Sequence, residues 1–549
     1  MRSSKSGRPA SRASSGARPP DGRAPGAGPA SSRGASLRAL LLPAACGLAL
    51  VAFGLPIAVP GLRGAFLGAG ATLLAWTTGL YVRGRRRGRS LSLRIAIYKH
   101  HWVQACAQIV VILYWGWYVH FVYAFIPLIL AQIVFAYGVE SLVKWGRDDT
   151  YRLGFGPFPV ILSINLFLWF RPEWFALQFA MIPLGYLGKE YIRWKRDRRS
   201  AHIFNPSSLP LAIFSLGLIL AGASGITFGR EIASSQFYPT HMYLVIFLAA
   251  LPGEILFGVA SMTLSAVVTL AGISAAYLAV SGTFLFYDTW IPIAVFLGMH
   301  LLFTDPSTSP RSESGRILFG MLYGVGTAAI YVLLETLGIP TFYDKLLPVP
   351  LMNLLVRNID GLAASGRLAL LDVSKLGRRV AGISRNAAYT CAWAGMFVAL
   401  STVRVVGDDP AGQALPYWFR TCDDGNARAC EYADRMTLAY CEDGSGWACN
   451  EWGLDRVADG KPADGAFRRA CRLGFDPGCA NVGRVVNDTT ALARAAPRRA
   501  DLPVVLRGTK PPLRGLSDQA LGERACRQGW REVCRRSART SNASGGAGR

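Results

Sequence analysis

The chain has 549 residues and a formal charge of +25, from 59 Lys and Arg against 34 Asp and Glu. Yet 51% of it is hydrophobic and only 17% is charged, too apolar for a nucleic-acid binder of this basicity and too aromatic for a disordered protein. Nucleic acid is therefore excluded as the partner, and a polytopic membrane protein with basic loops remains.

Residues 1–38 are Ser, Gly, Pro, Ala and Arg without apolar periodicity and read as a disordered basic cytoplasmic tail. Residues 39–406 are expected to form a transmembrane bundle. Crossing the hydrocarbon core takes about 20 apolar residues of helix. Runs at 39–59, 62–82, 102–120, 122–142, 156–170, 174–190, 208–226, 240–258, 260–281, 284–303, 316–336, 345–357 and 387–406 predict about 13 spans. The fifth, sixth and twelfth runs are short, which suits tilted, re-entrant or buried segments.

Lys and Arg in short loops stay on the cytoplasmic side. With the N-terminus inside, the inner segments 1–38, 83–99, 144–152, 189–199, 304–316 and 357–385 carry 32 basic residues. The outer loops carry only Arg63, Arg171, Arg230 and Lys345. An odd number of spans then places residues 407–549 outside, which in a bacterial inner membrane is the periplasm.

Cys46, Cys106 and Cys391 fall singly in apolar runs, as small apolar side chains. The other eight cysteines form four C-x7-C pairs, Cys422/Cys430, Cys441/Cys449, Cys471/Cys479 and Cys526/Cys534, each with Gly at its fourth position: Gly425, Gly444, Gly474 and Gly529. Four copies mark an internal repeat. The glycine allows a positive-φ turn between two helices, and a disulfide across it would tie the helices together with roughly 2–3 kcal/mol. Zinc sites use closer cysteine spacing, often with His, and no His follows His300; no metal is expected. Disulfides require an oxidising compartment, the same side that the charge pattern indicates.

The pairs, with Ala429-Cys430, Ala448-Cys449-Asn450 and Cys479-Ala480-Asn481 around them, resemble cysteine-rich Sel1-like repeats, relatives of the tetratricopeptide repeat. The steps between pairs are irregular, at 19, 30 and 55 residues, with an insertion at roughly 487–520 and a disordered end. The resemblance covers residues 415–540 and implies an α-helical repeat domain with a concave surface for a periplasmic protein partner. The expected fold is therefore all-α: a helical bundle plus a helical-repeat domain.

Three polar segments interrupt the apolar runs: His202-Ile203-Phe204-Asn205-Pro206-Ser207-Ser208, then Phe303-Thr304-Asp305-Pro306-Ser307-Thr308-Ser309-Pro310 with Gly315-Arg316 after it, and Leu351-Met352-Asn353 before Ile359-Asp360. Asn-Pro and Asp-Pro can simply cap helices. Their order, however, resembles the NqrB/RnfD family of membrane subunits in ion-translocating oxidoreductases, over residues 95–362. The resemblance implies an electron-transfer subunit that works with other redox-complex subunits and binds FMN or riboflavin, the site being shaped by Asn205, Asp305, Thr308 and Asn353. Relatives with covalent flavin attach it to a Thr in a G-E-T-S-like segment. Here the region reads Gly258-Val259-Ala260-Ser261-Met262-Thr263, so Thr263 is the candidate position, without the Gly-Glu before it.

Glu254 follows Pro252-Gly253 inside an apolar run. Intramembrane carboxylates are costly and mark ion or proton pathways, or else sit at an interface where Pro breaks the helix. The six His show no facing pair for haem; His101 and His120, expected on one span, lie about 28 Å apart along it. No P-loop, C-x-x-C-H or nucleophile elbow occurs in a credible setting, and no catalytic residue is assigned. Two other classes fit the same residues: a redox-silent membrane-anchored scaffold acting through its repeats, and a transporter.

Overall fold

The computed structural model describes residues 37–196, 199–371, 385–484, 486, 489–507 and 515–534. Residues 1–36, 372–384 and 535–549 lie outside these, and with them the expected disordered tail and end. The chain is predominantly α-helical. Among the described residues, fourteen helices form the bundle: α1 (Leu41–Gly54), α2 (Pro60–Arg86), α3 (Lys99–Tyr118), α4 (His120–Arg147), α5 (Pro157–Asn165), α6 (Phe175–Tyr191), α7 (Ser208–Leu220), α8 (Gly229–Ser235), α9 (Met242–Phe257), α10 (Ala260–Ser281), α11 (Ile293–Leu301), α12 (Glu313–Thr336), α13 (Pro348–Ala364) and α14 (Arg385–Thr402).

The expectation of about 13 spans does not hold. Among the described residues, only α2, α4, α10 and α12 are long and apolar enough to cross a membrane. Several other apolar runs are cut short by the backbone. The run at 284–303 contains a helix of only nine residues, α11, preceded by Pro292, and the run at 156–170 holds the nine-residue α5, begun by Pro157. Both short helices are almost wholly buried, so their apolar character serves core packing instead of a lipid-facing surface. His120 opens α4 and is not on the helix of His101.

Two short strand pairs close one end of the bundle. β1 (Ser92–Ile95) lies parallel to β2 (Thr150–Leu153), and β3 (Arg193–Arg196) is antiparallel to β4 (Arg199–His202). Ion pairs knit the basic loops together there: Arg89 with Asp149, Lys144 and Arg147 with Glu190, and Lys189 with Glu140. α12 also begins at this end, capped by Ser312, whose hydroxyl accepts from Gly315 N–H. Asp305 does not cap it.

The repeat domain docks at the opposite end of α12, about 36 Å away for 24 residues. Arg428 donates to Glu335 at 3.0 Å, to the Phe284 and Leu285 carbonyls at 3.0 and 2.9 Å, and to Tyr277 at 2.6 Å. Its helices are α15 (Leu415–Asp423), α16 (Ala427–Glu442), α17 (Gly446–Ala458), α18 (Asp464–Arg472), α19 (Asp476–Asn481), α20 (Leu502–Val505) and α21 (Asp518–Arg527). All four C-x7-C pairs lie at disulfide distance. Gly425, Gly444, Gly474 and Gly529 all adopt positive φ, between 74° and 100°, where each helix ends and the chain turns into the segment carrying the second cysteine. Asn426, Ser445 and Ser517 cap the helices that follow them.

Burial in this domain carries a pH signature. Desolvation pushes the Glu451 carboxyl up to about 7 and Asp455 up to about 6, although Arg494 opposes both. The folded domain holds these protons more tightly than the unfolded chain. Its stability is therefore greatest near the ordinary carboxyl range and declines as pH rises to about 7. We expect the urea midpoint of the repeat domain, followed in the intact chain, to fall between pH 5 and 8 by the equivalent of about 1–3 kcal/mol. Glu451→Gln should remove most of that slope; an unchanged slope would refute the assignment.

Candidate functional site

At the basic end, a polar cavity of about 510 Å³ opens between the starts of α3 and α5, the end of α6, the β4–α7 segment, the last turn of α9 and the loop at 305–307. Asn205 and Asp305 both line it, with Ser207, His100, His101, Lys189 and His202.

Asn205 organises one wall. Its side-chain oxygen accepts from the Ser207 N–H at 2.9 Å and the Ser207 hydroxyl at 2.7 Å, and its Nδ2 donates to the Leu302 carbonyl at 3.1 Å. It thus shapes the entry into α7 and also holds the end of α11. Gly185 permits this: a Cβ there would meet the Pro206 carbonyl at 2.2 Å. Asn353, fully buried on α13, accepts from Asn205 N–H at 3.2 Å and donates to the Thr308 carbonyl at 3.1 Å. Three segments distant in sequence are joined by this one amide.

Asn353 and Thr308 do not line the cavity. They brace it from behind. Asp305 accepts from Ser307 N–H at 2.9 Å and faces His202 Nε2 at 3.7 Å, an ion-pair distance too long for a hydrogen bond. Burial pushes the Asp305 carboxyl up, but His202 and Ser307 more than offset it and hold it below its usual range. It is a carboxylate at neutral pH.

His202 and Lys189 are site residues that sequence reasoning did not single out. His202 opens the same segment as Asn205, a signal that was present; Lys189 was one basic residue among many in a topogenic loop. Lys189 is oriented by Glu140, at 3.0 Å, which also accepts from Tyr151. Two buried nitrogens at the cavity, His101 Nδ1 and His202 Nε2, have no hydrogen-bond partner in the protein.

Thr263 stands apart. It is fully buried on α10 and does not line the cavity. It lies against Glu254 of α9. Close α10–α12 contact walls it in, since a Cβ on Gly320 would meet the Met262 carbonyl and Ser265 hydroxyl at 2.2 Å. A flavin phosphate does not fit at Thr263 in this packing.

No family model, curated protein or solved structure matches the chain. Among the described residues, no group of three or more His, Cys, Asp or Glu side chains is placed to hold a metal ion.

Proposed function

We propose that the chain is a membrane electron-transfer subunit that binds a flavin noncovalently in the cavity at the basic end. The observation that carries this reading is the cavity's inventory: two buried imidazole nitrogens without a hydrogen bond, that of His202 facing only Asp305 at 3.7 Å, a positioned Lys189, and the apolar faces of Phe257 and Pro159 on one concave surface. Unpartnered buried nitrogens cost about 1–3 kcal/mol each unless a ligand satisfies them. Lys189 and Lys99 would meet an FMN phosphate, His101 and His202 would hydrogen-bond the polar edge of the ring system, and Phe257 would pack against its face. A flavin there would supply one- and two-electron redox chemistry, as the NqrB/RnfD-like segments imply. Asn205, Asp305, Thr308 and Asn353 then act chiefly by holding the wall in place.

The four candidate spans do not supply the odd number expected alongside the charge pattern; in this reading the basic end is cytoplasmic by its charge, and the repeat domain, held at the far end of α12, is periplasmic, in a bacterial inner membrane where its disulfides persist. The Sel1-like repeats recruit a periplasmic protein partner. A C-terminal reporter active only in the cytoplasm would overturn that orientation.

The purified full chain should quench FMN fluorescence on titration. Lys189→Ala should weaken FMN binding about tenfold and riboflavin much less, the loss of one charge-assisted contact. His202→Ala should weaken both. A chain that neither retains nor binds either flavin would end the proposal and leave the scaffold reading.

A further inference from the structure

Deeper in the bundle, one turn of α9 inward from that cavity, a carboxyl and an imidazole face each other without hydrogen bonds. Glu254 Oε1 lies 3.8 Å from His300 Nε2 on α11, and the two side chains are 2% and 0% exposed. Neither carboxyl oxygen of Glu254 has a partner, nor does His300 Nε2, nor the hydroxyl of Thr263 beside them.

The tautomer of His300 is decided by its other nitrogen. Nδ1 lies 2.7 Å from the Phe296 carbonyl, which can only accept, so Nδ1 carries the hydrogen and a neutral ring turns the Nε2 lone pair toward Glu254. Two acceptors then confront each other in an apolar interior, with the Thr263 hydroxyl beside the carboxyl as the donor at hand. The charged groups nearby do not resolve this. His100 on α3 reaches the end of α9 through Phe257, at 6.5 Å between rings, and Trp393 on α14 packs on the His300 ring at 5.7 Å.

We infer that Glu254 and His300 form an intramembrane proton-binding site holding one exchangeable proton. The proton binds the Glu254 carboxylate, converting it to the neutral acid, which donates toward His300 Nε2; release restores the carboxylate. No other reactant is needed. Protons would reach the pair from the cavity, because the last turn of α9, Leu256 and Phe257, forms part of its lining beside His100 and His202. The site goes beyond the flavin reading and does not depend on it: a protein that binds no flavin can still carry this proton.

Infrared difference spectra of the purified full chain across a pH titration provide the test. A protonated-carboxyl band should appear as pH falls, vanish in Glu254→Gln and shift in frequency in His300→Gln. A spectrum with no such band at any pH, or a band unmoved by His300→Gln, would overturn the pair. A band bleached by Na⁺ at constant pH would assign the site to a metal cation and overturn the proton. Should Glu254→Gln fail to fold, His300→Gln and Thr263→Val retain Glu254, and a band that both leave unmoved overturns the proposal equally.

Discussion

Asn205→Ala should destabilise the bundle by about 2–4 kcal/mol and abolish ligand binding in the basic-end cavity. The amide is 5% exposed and serves Ser207 and Leu302 at once, while its own backbone N–H is held by Asn353. Alanine would remove the partner of the Ser207 N–H and of the Leu302 carbonyl. Asn205→Asp keeps the acceptor for Ser207 but loses donation to Leu302, so it should fall between alanine and wild type. Thermal unfolding in detergent, followed by near-UV circular dichroism, measures both. Unfolding of Asn205→Ala within error of wild type would show that the wall is held by something else.

Removal of the Cys441–Cys449 bridge should have the largest effect on the repeat domain. These cysteines are 2% and 0% exposed and pack with Trp447, Ala470 and Phe475. The bridge joins the end of α16 to α17 across Gly444, so its loss frees the central helix pair. Replacing both cysteines by Ala should cost about 2–5 kcal/mol, and replacing both by Ser more, because two hydroxyls would be buried without partners. Mild reductant should open Cys526–Cys534 and Cys471–Cys479 first, since Cys526 and Cys479 are exposed, and Cys441–Cys449 last. Mass spectrometry after timed alkylation gives the order. Early loss of the central bridge would contradict this burial.

Local relations were fully legible in the chain. The spacing of cysteine, glycine and cysteine acts within nine residues, and a glycine at the fourth position can only help if the backbone turns there; all four do. The meeting of basic residues from 83–99, 144–152 and 189–199 at one end also follows the charge pattern along the chain. The membrane span count was not. Apolar composition registers what a segment buries, but not that the helices begun at Pro157 and after Pro292 run for only nine residues, nor whether an apolar face meets lipid or another helix.

The site divides in the same way. Asn205, Asp305 and Asn353 stood out because polar residues in apolar surroundings demand partners, and that demand is a property of the residue itself. Which partners they find is a property of the fold. Asn353 reaches the Asn205 amide and the Thr308 carbonyl, and Glu254 meets His300, only because separate helices pack side by side. Thr263 shows the converse, a residue placed by local motif that packing buries away from the cavity. Composition and spacing determined the helical class and the four bridged cysteine pairs, both of which depend on neighbours along the chain. The cavity, its orphaned histidines and the buried acid–imidazole pair were decided only by tertiary packing, since no local rule specifies which distant groups a buried polar atom will face.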